Sequence, residues 1–332
     1  MPRIFLTLLG VAFLVGAACS SDGGADNGAP VVVATTSQIG ALVREVAGDA
    51  VEVQTLMGPG VDPHDYEPSP QDVRVVAEAA LVLRNGIGLD DFLDDIIEGA
   101  EAQTVVTVTE GIELRSSSHD DHDDEDDGHD HDGDGVDDHA AEDHDEEEHE
   151  DEHDHGEFDA HVWHNPMNVK VMTANIVDAL VLAFPERADD FRRNGEAYSR
   201  RLDAVDVEIR AIIDEIPAGN RRMVTDHEAF GYFVERYGLE VVGTVIPGTT
   251  TQAEASAQDI AALEDEIRAS GVKAIFSESS VDPRVAQQVA ADTGIEIVDD
   301  LYGDTLGAPG SGAETVDGML LFNARRIADV LK

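Results

Sequence analysis

"PERADDFRRNGEAYSRRLDAVDVEIRAIIDEI" occupies residues 185–216 and reads as one very long helical pattern, opened by Pro185 and broken at Pro217. Thirty residues at 1.5 Å each would span about 45 Å, more than one small domain needs. The stretch has no heptad regularity, so a strut between two lobes describes it better than a coiled coil.

The flanks agree with a strut. Upstream, "VVVAT", "AVEVQTLM", "ALVLR" and "TVVTV" are short apolar runs, separated by the helical patterns "SQIGALVREVAG", "SPQDVRVVAEA" and "DDFLDDIIEGA". Downstream, "RRMVT", "LEVVGTV", "VKAIFS" and "IEIVD" alternate in the same way with "FGYFVERYG", "AQDIAALEDEIRAS" and "VAQQVAADTG". Strands alternating with helices of this length imply parallel sheets with crossover helices. "VVVATTSQIGALVREVAGDAVEVQTL" and "RMVTDHEAFGYFVERYGLEVVGTV" repeat one grammar of strand, polar corner, helix, glycine and strand. The expected fold is α/β, with two similar lobes, each a parallel sheet flanked by helices, joined by one long rigid helix. Ligands in such sheets sit at the carboxyl ends of the strands, here facing the cleft between lobes.

The 332 residues include 71 acidic and 21 basic side chains, a formal net charge of −50. Residues 119–155 contribute 22 of the acids and no base, so the rest of the chain still carries 49 acids against 21 bases. This balance argues against nucleic acid as a partner and against docking on anionic lipid through a basic patch. Lysine is confined to Lys170, Lys273 and Lys332, a pattern that saline surroundings also favour.

"MPRIFLTLLGVAFLVGAACSS" opens the chain with Arg3, an apolar run from Ile4 to Ala18, and then Cys19, the only cysteine. The run is too short to span a bilayer comfortably but suits a secretory h-region. Cys19 after small residues looks like the lipobox of a bacterial lipoprotein, although Gly16 stands where a larger aliphatic is usual. The alternative is an ordinary signal peptide with a chance cysteine. The expected plan is a signal peptide over 1–18 and a lipidated tether over 19–30. It continues with a first lobe over 31–115, completed by 159–184 beyond an insertion. A linking helix over 185–217 and a second lobe over 218–332 follow. Such a chain is exported and either lipid-anchored to the outer face of the cytoplasmic membrane or periplasmic. One cysteine allows no internal disulfide.

The insertion, 116–158, lacks the apolar residues needed to offset chain ordering and is expected to be disordered. It holds nine of the thirteen histidines: His119, His122, His129, His131, His139, His144, His149, His153 and His155. Histidines spaced among carboxylates make many weak, exchanging metal sites; the plainer reading is a solubilising loop.

Four histidines lie elsewhere. His64 sits in "GPGVDPHDYEPSPQD", whose glycines and prolines constrain the backbone after the second strand. His161 and His164 sit in "DAHVWHNP", just before a helix. His227 sits in "VTDHEAFGYF", at the end of a strand. Asp304, in "LYGDTLG", follows the last strand. Nitrogen donors with one carboxylate suit a borderline-soft divalent ion, zinc first, better than calcium or magnesium. A histidine in a loop is more often a surface residue than a ligand. Three at strand ends in a chain with so few elsewhere leave the two readings even. Trp163 and Tyr66 read either as packing residues or as walls of the cleft.

"VDPHDYEPSPQD", "DAHVWHNPMNV", "TDHEAFGYFVERYGLEVVG", "FSESSVDPRVAQQVAADTG" and "LYGDTLG" resemble, in order, the signatures of the metal-binding solute-binding proteins of zinc and manganese ABC importers, the ZnuA/TroA-like family. The resemblance runs from Val31 to Lys332. It implies a metal site in the interlobe cleft with His64, His161, His227 and Asp304 as ligands. Manganese members commonly place a glutamate where His227 stands. Ala160 departs from the usual Asp-Pro-His wording, and His164 stands where an aliphatic or aromatic residue is common, so His164 is the less favoured substitute for His161. The acid- and histidine-rich insertion is similar to the loop of zinc-specific members.

The implied function is high-affinity capture of Zn²⁺ and delivery to an ABC importer transmembrane permease, by a monomer anchored to the membrane through its N-terminal lipid. Four protein ligands would fill a tetrahedral site and leave no water to activate, which separates a carrier from an enzyme. A manganese carrier is the nearest alternative. A zinc hydrolase with Glu228 as base and a surface adhesin are alternatives of other classes. Because ligand nitrogens must be deprotonated, affinity is expected to fall as pH drops through the histidine range near 6.5.

Overall fold

The computed structural model describes residues 29–98, 104–117 and 158–332. Cys19, the expected signal peptide, most of the expected tether and the nine histidines of residues 119–155 lie outside the described residues.

Two four-stranded, wholly parallel sheets form the frame. In the first, β1 (Val31–Thr36) is flanked by β2 (Glu52–Met57) and β3 (Leu81–Arg84), with β4 (Val105–Thr107) beyond β3, in the order β2-β1-β3-β4. The crossovers are α1 (Ser37–Ala47), α2 (Pro70–Glu78) and α3 (Phe92–Glu98). Local chemistry sets the helix starts. Thr36 accepts from the Ile39 amide, and Ser69 with Asp72 forms a reciprocal capping box ahead of Pro70.

The second sheet repeats this order with β5 (Arg222–Thr225), β6 (Glu240–Thr244), β7 (Ala274–Glu278) and β8 (Glu296–Leu301), arranged β6-β5-β7-β8. Its crossovers are α6 (Gly231–Tyr237), α7 (Ala257–Ser270) and α8 (Arg284–Thr293). Each sheet therefore reverses its winding beside its first strand, and each reversal is plugged by a buried aspartate. Asp90 accepts from Thr35 Oγ1 at 2.7 Å and from the Asn85 and Gly86 amides at 2.6 and 2.7 Å. Asp226 accepts from Ser277 Oγ at 2.7 Å and the Glu278 amide at 2.6 Å.

Strand alternation distributes the core. Val32, Ala34, Leu81, Leu83, Met223, Ala274 and Phe276 point into one apolar cluster shared by both lobes. Their neighbours Val33 and Val82 pack on the outer face of the first sheet, and Val224 and Ile275 on that of the second.

The lobes are joined by α4 (Pro166–Ala183) and α5 (Ala188–Asp214), separated by a 3-10 turn at Pro185–Arg187 and packed along each other, with α5 lying on α1 of the first lobe and α6 of the second. The long helix begins three residues later than its sequence pattern because Pro185 opens that tighter turn first. Its 27 residues extend about 40 Å at 1.5 Å per residue. The N-terminal half holds the first lobe, with Asn194 donating to Val46 O at 2.9 Å. The C-terminal half holds the second, with Asp206 accepting from Arg236 at 2.7 and 2.8 Å and from Tyr237 at 2.9 Å. At its middle, Arg201 pairs with Glu45 of the first lobe at 2.9 Å and, at 3.0 Å, with Asp317. Asp317 lies on α9 (Val316–Leu331), a helix the strand-and-crossover grammar does not announce. It packs along α5 as a further element of the strut.

Candidate metal centre

Four chain segments deliver side chains to one point between the lobes. After β2, Asp62 caps a single 3-10 turn at Pro63–Asp65, accepting from the His64 amide at 2.9 Å. This loop is tied to the second lobe. Thr251 Oγ1 donates to Asp62 at 2.7 Å, Gln252 Nε2 donates to the His64 carbonyl, and the Gly60 amide donates to Thr305 Oγ1 at 2.7 Å. His161 lies on the segment entering α4, His227 follows β5, and Asp304 follows β8.

The donor atoms converge. His161 Nε2 is 3.2 Å from His64 Nε2, 3.4 Å from His227 Nε2 and 3.1 Å from Asp304 Oδ1. Asp304 Oδ2 is 3.5 Å from His64 Nε2 and 3.3 Å from His227 Nε2. One donor atom from each of the four lies within 4.8 Å of all the others. His161, His227 and Asp304 have no exposed side-chain surface, and His64 is 10% exposed.

Each of two histidines is backed by a carboxylate at its other nitrogen. Asp159 Oδ1 accepts from the His161 amide at 2.9 Å and faces His161 Nδ1 at 2.8 Å. Glu278 Oε1, at the end of β7, lies 2.9 Å from His227 Nδ1. Asp159 thereby hydrogen-bonds the His161 ring and turns its Nε2 to the centre, while Glu278 sets a negative charge beside His227 Nδ1, whose Nε2 also faces the centre. Gly303 is required for this packing: a Cβ there would fall 1.8 Å from Glu278 Oε2.

The electrostatics fit a bound cation. Both Asp304 oxygens are buried without a hydrogen-bond partner. A buried carboxylate left in that state is costly unless a positive charge compensates it. Burial opposes the Asp304 charge, but His227, His64 and His161 outweigh it and hold the carboxyl well below its ordinary range. Burial lowers His161, yet Asp304 and Asp159 outweigh it and raise the imidazole to about 9. His227 is likewise raised despite burial, by Glu278 and Asp304. His64 is lowered to about 4, chiefly by burial, and burial pushes Glu278 up to about 7. The ordinary histidine range expected from sequence therefore does not describe this site, because its carboxylates split the three imidazoles apart.

His164 is buried but stands outside the cluster. Its Nε2 is 3.1 Å from the Gly303 carbonyl, which also accepts from Trp163 Nε1 at 2.9 Å, and its ring packs 4.7 Å from Phe230. Burial lowers it to about 3, so it is neutral and steadies the residue preceding Asp304. Trp163 is fully buried and meets the His161 ring edge-on at 5.4 Å. Tyr66 packs on Phe92 and lines a cavity of about 410 Å³ that opens beside His64. Glu228 lines a different cavity, with Arg115 and Phe230.

A family model described as the periplasmic component A of the zinc-uptake complex, ZnuA, matches residues 32–330. The chain belongs to this family. ZnuA-family proteins are solute-binding components of ABC transport rather than enzymes, and the His/Asp cluster is a site for a divalent metal ion. The zinc-binding protein TroA of Treponema pallidum is 30% identical over 338 residues, covering 99% of this chain and 98% of TroA. The manganese ABC transporter substrate-binding lipoprotein PsaA of Streptococcus mitis is 28% identical over 338 residues, covering 100% of this chain and 98% of PsaA. The solved structure of the Treponema periplasmic zinc-binding TroA superposes with a TM-score of 0.75 at 28% identity, covering 92% of this chain and 99% of that one. A manganese-bound periplasmic metal-binding protein from Candidatus Liberibacter asiaticus shares the fold, with a TM-score of 0.72 at 24% identity over 91% of this chain and 100% of that one.

Within this ZnuA-family chain, sequence reasoning passed over Asp159 and Glu278. Both carried a readable signal. Asp159 stands two residues before His161, where a carboxylate can reach back to Nδ1, and Glu278 closes a buried strand whose carboxyl end faces the cleft.

Proposed function

We propose that the protein captures Zn²⁺ through His64, His161, His227 and Asp304 and delivers it to the transmembrane permease of an ABC importer. The observation that carries this reading is the spacing of the donors. The edge of a regular tetrahedron is about 1.63 times its centre-to-vertex distance, so zinc–nitrogen bonds of about 2.0–2.1 Å require donors about 3.3–3.4 Å apart. Taken through Asp304 Oδ2, the separations of 3.2, 3.3, 3.4 and 3.5 Å, four of the six edges, bracket that value. Three neutral imidazoles and one carboxylate suit zinc by ligand type. Glu278 behind His227 adds the second negative charge that the ligands lack, and Arg115 at 3.1 Å offsets that of Asp159.

Manganese is the second reading, favoured by the relatives named for that metal and by the two free oxygens of Asp304, which could bind together and enlarge the coordination number. Competition between Zn²⁺ and Mn²⁺ for the purified protein separates the two. Zinc preference of a thousandfold or more with four-coordinate geometry by X-ray absorption supports the first; manganese retention against equimolar zinc would overturn it. The same proposal includes a lipid on Cys19 as membrane anchor, and gathering or sensing of zinc at lower affinity by His119, His122, His129, His131, His139, His144, His149, His153 and His155. It also includes the division into a first lobe, a linking helix over 185–217 and a second lobe over 218–332.

A further inference from the structure

The chain entering residue 118 and the chain leaving residue 157 are held side by side. Ser116 and Phe158 form an isolated antiparallel bridge, and the Asp159 amide donates to Arg115 O at 2.9 Å. Arg115, at this stem, joins three things. Its Nη1 donates to Asp159 Oδ2 at 3.1 Å, its Nε donates to Glu235 at 3.1 Å, and its backbone amide donates to Tyr232 Oη at 3.0 Å. Glu235 and Tyr232 belong to α6, on the second lobe. Tyr232 Oη in turn donates to the Asp159 carbonyl at 3.0 Å. The other oxygen of Asp159 holds His161 at both its amide and Nδ1. One unbroken path thus runs from α6 through Arg115 and Asp159 to His161.

Gly231 makes room for this path. A Cβ on that first residue of α6 would fall 1.9 Å from Arg115 Nη1 and 2.6 Å from Asp159 Oδ2. The Asp159 side chain is 1% exposed and that of Arg115 36%, so the carboxylate is sealed while the guanidinium borders solvent at a cavity of about 360 Å³.

We propose that Arg115 is a positioning residue for metal capture: by fixing Asp159 against α6 it orients His161 across the lobe boundary, so that tight holding of the ion depends on the two lobes staying together. The inference rests on the reading of His161 as a ligand. Without Arg115, Asp159 Oδ2 loses its charged partner, and the carboxylate can rotate away from Nδ1. Partners one step behind a metal ligand typically change affinity about tenfold to a hundredfold.

The test uses the full chain, with Zn²⁺ affinity measured by chelator competition and zinc release by stopped flow. Arg115→Ala should weaken zinc binding about tenfold or more, mainly through faster release, with Arg115→Lys recovering part of the loss. Gly231→Ala, which displaces the guanidinium by contact, should reproduce the effect. Arg115→Ala combined with Asp159→Asn should bind no more weakly than Asp159→Asn alone, since both act through one carboxylate. A purely structural role would instead lower the melting temperature of the metal-free protein and leave the two losses additive, and that result overturns the proposal. So does wild-type affinity in Arg115→Ala or, should that variant not fold, in both Arg115→Lys and Gly231→Ala. Failure of the ligand reading looks different: His161→Ala would then bind zinc as the wild type does.

Discussion

Glu278 and His227 meet at 2.9 Å, a carboxylate from the end of β7 against the Nδ1 of a histidine that follows β5. The contact places a carboxylate charge beside His227 in the second lobe, as Asp159 does beside His161 in the first, where the carboxylate also hydrogen-bonds the ring and the amide. Glu278→Gln keeps the volume and removes the charge. Zinc affinity should fall about tenfold to a hundredfold, and chelator competition reads it directly. Unchanged affinity would show that His227 needs no partner.

Removing a donor is a larger change. His64→Ala, His161→Ala, His227→Ala and Asp304→Ala should each lower zinc affinity by several powers of ten. His164→Ala should keep the tight site while lowering the melting temperature of the metal-free protein, since it empties a fully buried ring position at a cost of about 2–4 kcal/mol. Loss of tight binding in His164→Ala alone would move the ligand assignment from His161 to His164.

Affinity should depend on pH well above the ordinary histidine range. In the metal-free protein His161 keeps its proton up to about 9, and His227 is raised as well. An entering ion must expel those protons. Zinc affinity should therefore rise with pH up to about 9, roughly tenfold per unit for each proton displaced. His64, lowered to about 4, is already neutral and adds no slope near neutrality. Isothermal titration in buffers of different ionisation enthalpy counts the released protons. A flat profile between pH 6 and 8 would contradict this electrostatic picture.

Deleting residues 119–155 should leave one tight zinc site and remove the weaker ones, as read by equilibrium dialysis. If the tight site disappears with the insertion, the interlobe cluster is not where zinc is held.

Closure should be small. Both sheets send their inner faces into one shared core, and Arg201 clasps Glu45 and Asp317 across the middle of α5. A wide hinge would have to break that core. Structures of metal-free and zinc-loaded forms should differ by a lobe rotation below about 20°.

The two-lobe plan was legible because its signals are local. The alternation of short β-branched runs with helical patterns marked all eight strands β1 to β8 without tertiary knowledge, and Pro185 and Pro217 bounded the strut within three residues of α5. His64, His227 and Asp304 were legible because they follow strands whose exits must face the cleft. Their convergence was not, since it depends on how two sheets are set against each other. Asp159, Glu278 and Arg115 were missed for the same reason. An arginine ahead of an acidic run gives no hint that its partners are a carboxylate 44 positions on and a helix of the other lobe. The helix α9 went unread because its apolar face is matched to α5, α1 and the strands β7 and β8, partners set only by the tertiary fold.

Of the four donors, three are sealed within protein and His64 alone touches solvent, beside the opening lined by Tyr66, Phe92 and Gln252. Traffic at such a centre is one-sided. An arriving ion sheds its water on that flank, and a departing one must loosen the same imidazole first, so whatever prises the His64 loop from Thr251 and Gln252 sets the rate of unloading.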